Sequence, residues 1–276
     1  MWVKTSMSRI AECFEQLKGQ GRKALIPYLT AGDPNLETTL SLMHALVANG
    51  ADIIELGFPF TDPTSDGPVI QRAVERALAN NTSLKGVLET VTNFREENKT
   101  TPVVLMGYLN PVECMGYQRF TDAAVTAGVD GVLIVDMPPE ESHDLEDIIH
   151  KTALDGIFLV APTTSDSRVG YICKQSSGYV YYVSLKGVTG AGNLDIESVK
   201  ENLARVRANT DLPVGVGFGI KDATSARQIS EIADAVVVGS ALINKIAELD
   251  ASKHYSREEL QTHIALIKEM RDAMDA

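Results

Sequence analysis

Paired cysteines, membrane-length apolar runs and an excess of basic charge are all missing from this sequence, and each absence narrows what the chain can do. Its three cysteines, Cys13, Cys114 and Cys173, are an odd number, far apart, with no CxxC spacing and no neighbouring histidine. That pattern indicates neither a disulfide framework nor a zinc site, and it suits packing residues in a reducing cytosol. No apolar run is long enough for a membrane-spanning helix, and the N-terminus lacks a charged-then-apolar signal pattern. The expected location is cytoplasmic. Lys and Arg number 25 against 37 Asp and Glu, a net charge of −12, so most of the surface repels nucleic acid and anionic membranes. An anionic small substrate needs a local site that overrides this field. Tryptophan is scarce: Trp2 is the only one, within six residues before Met7 that read as a disordered extension. All five histidines, His44, His143, His150, His254 and His263, fall in stretches that read as helix, in surface or packing roles.

Apolar β-branched runs are what the sequence does have, at 23–30, 51–56, 102–106, 131–135, 156–160, 179–184, 213–216 and 235–238. Amphipathic segments alternate with them, for example at 36–49, 84–97, 118–127, 140–152, 196–208 and 223–232. No Ser-, Gly- or Pro-rich linker interrupts the alternation. Eight βα units in about 250 residues predict a single α/β domain over 7–276, a TIM (β/α)8 barrel. An extra N-terminal helix over 8–18 would plug the bottom of the barrel. Near the other end, Ser256-Arg-Glu-Glu259 is a capping box opening a last helix with Leu260, Ile264, Ile267 and Ala273 at helical spacing.

Barrel chemistry belongs at the C-terminal ends of the strands. The second strand ends on Glu55, where an apolar setting raises a carboxyl pKa. Pro59, Pro63, Pro68, Gly57 and Gly67 then stiffen a polar loop carrying Asp62 and Asp66. Taken singly, a strand-end acid is as often ion-paired, and an Asp before Gly-Pro is usually a turn residue. Together, a protonated Glu55 and an ionised Asp66 give a proton donor and a base at one pH. Glycine-rich turns follow the sixth strand (Gly187-Val-Thr-Gly-Ala-Gly-Asn193), the seventh (Gly217-Phe-Gly-Ile220) and the eighth (Gly239-Ser240). Their backbone N–H groups, with a helix starting at Ser240, suit a phosphate; the plainer reading is tight turns. The GxGxG over 215–219 has the wrong spacing and place for a dinucleotide fingerprint. Phe218 is either a core residue or a wall of an aromatic slot.

Five strings carry a resemblance: Pro27-Tyr-Leu-Thr-Ala-Gly-Asp-Pro34, Glu55-Leu-Gly-Phe-Pro-Phe-Thr-Asp-Pro-Thr-Ser-Asp-Gly-Pro68, Gly187-Val-Thr-Gly190, Gly217-Phe-Gly-Ile220 and Val238-Gly-Ser240. In this order and spacing, from about Met7 onwards, the chain resembles the tryptophan synthase alpha subunit family. The resemblance implies a carbon–carbon lyase, cleaving indole-3-glycerol phosphate by a retro-aldol step to indole and glyceraldehyde 3-phosphate. It assigns catalysis to Glu55 and Asp66, phosphate contacts to Gly190, Gly219, Gly239 and Ser240, and the indole pocket to Phe218 and Tyr108. Tyr181 matches a substrate-site tyrosine, and Thr189 a threonine that closes over the site near Asp66. The implied partner is a pyridoxal-phosphate beta subunit in an αββα heterotetramer, met through Asp62, Asn110, Pro111 and the loop after the sixth strand. No metal and no cofactor is expected in this chain. The alternatives are a stand-alone lyase that releases indole and a non-catalytic phosphate-binding barrel.

Overall fold

The computed structural model describes residues 7–184 and 195–276. Its strands are β1 (Ala24–Thr30), β2 (Ile54–Gly57), β3 (Val103–Gly107), β4 (Gly131–Ile134), β5 (Asp155–Gly156), β6 (Leu159–Val160), β7 (Val180–Val183), β8 (Val214–Gly217) and β9 (Ala235–Val238). They form one parallel sheet in the order β5-β4-β3-β2-β1-β9-β8-β7-β6. The two end members are consecutive pieces of the expected fifth strand. Between them, the Ile157 N–H donates to the Val132 carbonyl at 2.9 Å, and the Phe158 carbonyl accepts from the Tyr181 N–H at 3.1 Å. One stretch of backbone therefore bonds to β4 on one side and β7 on the other, and the sheet closes into a barrel.

Strand periodicity sorts the side chains into two sets. On β1, Leu25 and Leu29 face the helices, whereas Ala24 and Ile26 face the barrel axis with Ile53, Val104, Leu133 and Val237. Ile10, Phe14 and Leu17 of α1 (Arg9–Gly19) join this inner set, so the N-terminal helix closes one end of the barrel as expected. Ser8 caps that helix and donates to Asp155 at 2.6 Å; Arg9 donates to Asp130 at 2.6 Å. The buried Asp130 carboxylate also accepts from Arg95 and from the Val103 N–H, both at 2.7 Å, joining plug, outer ring and sheet.

Several helices differ from expectation. The last one is broken into α12 (Arg257–His263) and α13 (Leu266–Asp275), although the Ser256–Glu259 capping box forms. The cause lies in the buried Asn49, whose side-chain N–H donates to the Gln261 and Ile264 carbonyls at 2.9 and 3.2 Å. The Gln261 carbonyl thus accepts from the Asn49 amide, as does the Ile264 carbonyl, which also accepts from the Ile267 N–H at 3.1 Å, at the junction of the two helices. The break lets α12 pack on α2 (Leu36–Ala48) and α13 on α10 (Ala223–Ser230). The segment at 140–152 shrinks to α7 (His143–Ile149), and His254 lies in a loop rather than a helix. Besides the segments read from periodicity, helices α3 (Pro68–Ala79), α5 (Leu109–Met115) and α8 (Asp166–Gln175) follow β2, β3 and β6.

Ile10 is fully buried in the plug. Ile10→Ala is expected to cost about 2–5 kcal/mol of stability, measured by urea unfolding; a loss under about 1 kcal/mol would show that the plug is not packed.

Candidate active site

The inward phase that puts Ile53 against the plug puts Glu55 one layer higher. Glu55 is fully buried, with one oxygen accepting from the Tyr179 hydroxyl at 2.6 Å and the other without a partner among the described residues. Burial pushes its pKa up to about 7, against the opposing effect of the Tyr179 bond. Tyr28 and Tyr181 fill the same layer. Each needs a glycine beside it: a Cβ at Gly57 would lie 2.2 Å from the Tyr28 hydroxyl, and one at Gly217 1.9 Å from that of Tyr181.

The loop after β2 turns on Phe58, whose ring occupies the space a Cβ on Gly107 would take. Further along, Phe60 packs on Tyr108 with ring centroids 5.6 Å apart. The Tyr108 hydroxyl accepts from the Ser65 N–H at 3.0 Å and donates to Asp66 Oδ2 at 3.1 Å. Asp136, after β4, accepts from the Leu109 N–H at 2.8 Å and so anchors the helix start that carries Tyr108. The loop was expected to leave Asp66 polar and ionised. Instead the side chain is half-buried and desolvation pushes its pKa up to about 6, with the Tyr108 bond opposing. The order of the two acids holds. Burial raises Glu55 further than Asp66, so as the pH rises Asp66 ionises first and Glu55 holds its proton longer.

Glu55, Asp66, Tyr28, Tyr181 and Phe218 line one cavity of about 990 Å³, which Gly219, Gly239 and Ser240 also line. Phe218 thus faces the cavity. It has a left-handed backbone, φ 74°, next to Gly219 at 77°, and the Ser184 hydroxyl lies 2.7 Å from both the Gly217 and Phe218 carbonyls. Ser240 opens α11 (Ser240–Ile246), and nothing stands within 4 Å of where a Cβ on Gly239 would be. Tyr108 is set apart, lining a small adjoining hollow that shares Asp66. Asp62 and Asn110 are exposed and Pro111 half-exposed on the same side of the barrel. Thr189 and Gly190 lie outside the described residues. Among the described residues no cluster of His, Cys, Asp or Glu could hold a metal ion, and no helix is long and apolar enough to cross a membrane.

Tyr179 and Tyr28 received no role from the sequence. Alternation alone could have found them: Tyr28 continues the inward series Ala24 and Ile26, and Tyr179 lies two residues before Tyr181.

Residues 14–275 match the family described as tryptophan synthase alpha chain. The chain belongs to the tryptophan synthase alpha chain family. It is 61% identical over 269 residues to the tryptophan synthase alpha chain of Thioalkalivibrio sulfidiphilus, covering 98% of this chain and 100% of that one. Identity to the Nitrosococcus oceani alpha chain is 56%, with 98% of each chain covered. A crystal structure of tryptophan synthase subunit alpha from Legionella pneumophila superposes with a TM-score of 0.87 at 45% identity, over 98% of this chain and 99% of the other. As an alpha chain of this family, the protein has its buried Glu55 and half-buried Asp66 in the same cavity as its glycine turns.

Because the native state holds the Glu55 proton more tightly than the unfolded chain, the stability this contributes is complete below about pH 4.5 and is lost as the pH rises to about 7. Glu55→Gln escapes that loss. Its stability relative to wild type should rise by about 2–3 kcal/mol between about pH 5 and 8 in urea unfolding; a flat difference would mean that the carboxyl is not desolvated.

Proposed function

We propose that the protein cleaves indole-3-glycerol phosphate to indole and glyceraldehyde 3-phosphate by a retro-aldol step, with Glu55 and Asp66 as its catalytic residues. The observation that carries this reading is the pair of acids lining one cavity together with the glycine turns at Gly219 and Gly239, Glu55 raised further than Asp66 by burial. Protonated Glu55 delivers its proton to indole C3, which breaks the ring's aromaticity and leaves positive charge at the ring nitrogen. Ionised Asp66 accepts from that N–H and stabilises the charge. Glu55, now a carboxylate, takes the proton of the hydroxyl on the adjoining carbon. The carbonyl forms, the carbon–carbon bond breaks, and its electron pair restores the indole. The proton lost to C3 is regained from the hydroxyl, so the side chains alone close the cycle.

The phosphate fits the N–H groups at Gly219, Gly239 and Ser240, each charge-assisted bond contributing about 1.5–3 kcal/mol. Phe218, Tyr181 and Tyr108 hold the indole end, Tyr108 through Asp66, while Thr189 and Gly190 keep the roles the family resemblance implies. Asp62, Asn110 and Pro111 form the face for a pyridoxal-phosphate beta subunit that receives the indole in an αββα assembly. Stimulation on adding a beta subunit separates this from a stand-alone lyase. A biosynthetic role and three free cysteines suit the cytoplasm.

Glu55→Gln and Asp66→Asn should each lower turnover about 10²- to 10⁴-fold with the fold retained by circular dichroism. Indole release within tenfold of wild type by both variants would reject the mechanism.

A further inference from the structure

The segment that delivers Asp66 is poorly tied to the helix behind it, with one exception. At the start of α3 the cap residue Gly67 offers no side-chain bond and Pro68 has no N–H. Gln71 closes that gap. Its backbone N–H makes a helical bond to the Gly67 carbonyl at 3.0 Å, and its side-chain Nε2 reaches one residue further back to the Asp66 carbonyl at 2.9 Å.

We propose that Gln71 is a positioning residue for the reaction, acting through the Asp66 peptide to hold the Asp66 carboxylate at its working place. The assignment rests on the catalytic role proposed for Asp66. With Gln71 in place, both peptide groups flanking the Asp66 Cα have partners, since the Asp66 N–H donates to the Pro63 carbonyl at 3.1 Å. The two backbone torsions that aim the side chain are thereby set, and Tyr108 fixes the carboxylate itself. The other end of the tether is firm. Ile70, Ala73, Val74 and Ala77 bury one face of α3, and Arg76 grips the buried Asp33 through two bonds of 2.7 Å. Gln71 thus refers a polar, largely exposed loop to a packed helix. Without its donor, the Asp66 carbonyl turns to water and the carboxylate drifts, and a misplacement of about 1 Å can cost as much as 10²-fold in rate.

Gln71→Met keeps the length and removes the donor. It should lower kcat for indole-3-glycerol phosphate about 5- to 50-fold, while KM and the inhibition constant of glycerol 3-phosphate stay within about twofold, because Gln71 bonds to the carbonyls of Asp66 and Gly67 rather than to the turns at Gly219 and Gly239. The same change made in Asp66→Asn should alter the residual kcat by less than about twofold, since the carboxylate it positions is gone. An undiminished kcat in Gln71→Met, or an equal loss in both backgrounds, overturns the positioning role while leaving Asp66 catalytic. Near-normal turnover in Asp66→Asn alone removes the role of Asp66, and this one with it.

Discussion

A carboxyl group with no counter-charge among the described residues, enclosed in the throat of a parallel barrel, is the constraint around which this molecule is arranged. Among the described residues Glu55 has one hydroxyl to bond and one oxygen with no partner. Burying an ionised carboxylate this way would be very unfavourable, so the group keeps its proton near neutral pH instead. The conflict is local and purposeful: the site that destabilises the ionised acid is the one that makes it a proton donor. The barrel tolerates it because the layers beneath are dense, with α1 filling the axis from below and Asp130 tying that helix to sheet and outer ring.

Layering also explains the tyrosines. Three phenols converge on the throat, each too large for the axis unless a neighbouring strand lacks a side chain. Gly57 and Gly217 supply that space for Tyr28 and Tyr181, and Tyr179 reaches Glu55 while its ring lies tilted against Phe14, centroids 6.0 Å apart. These glycines serve close approach rather than unusual backbone torsions.

Asp66 poses the opposite problem. It sits on a loop, where position is cheap to lose, and it is held by neighbours on other elements: Tyr108 on the carboxylate and Gln71 on the carbonyl. The loop is therefore less polar around Asp66 than its Thr-Asp-Pro-Thr-Ser sequence suggests. Burial at the barrel rim takes away water and raises the pKa to about 6, against the lowering effect of the Tyr108 bond.

Local pattern alone determined the eight apolar strands, the plug helix, the capping box at Ser256 and the presence of two unlike acids beside glycine turns, because period-two and period-3.6 burial and turn chemistry are written in neighbouring residues. What bonds to what across the barrel was decided only by tertiary structure. The split of the last helix depends on Asn49, which lies more than 200 residues away. The Tyr179–Glu55 and Tyr108–Asp66 bonds join residues 124 and 42 positions apart. Such pairings follow from which strand lies beside which, and from the desolvation that closure imposes. Neither is a property of any short stretch of chain.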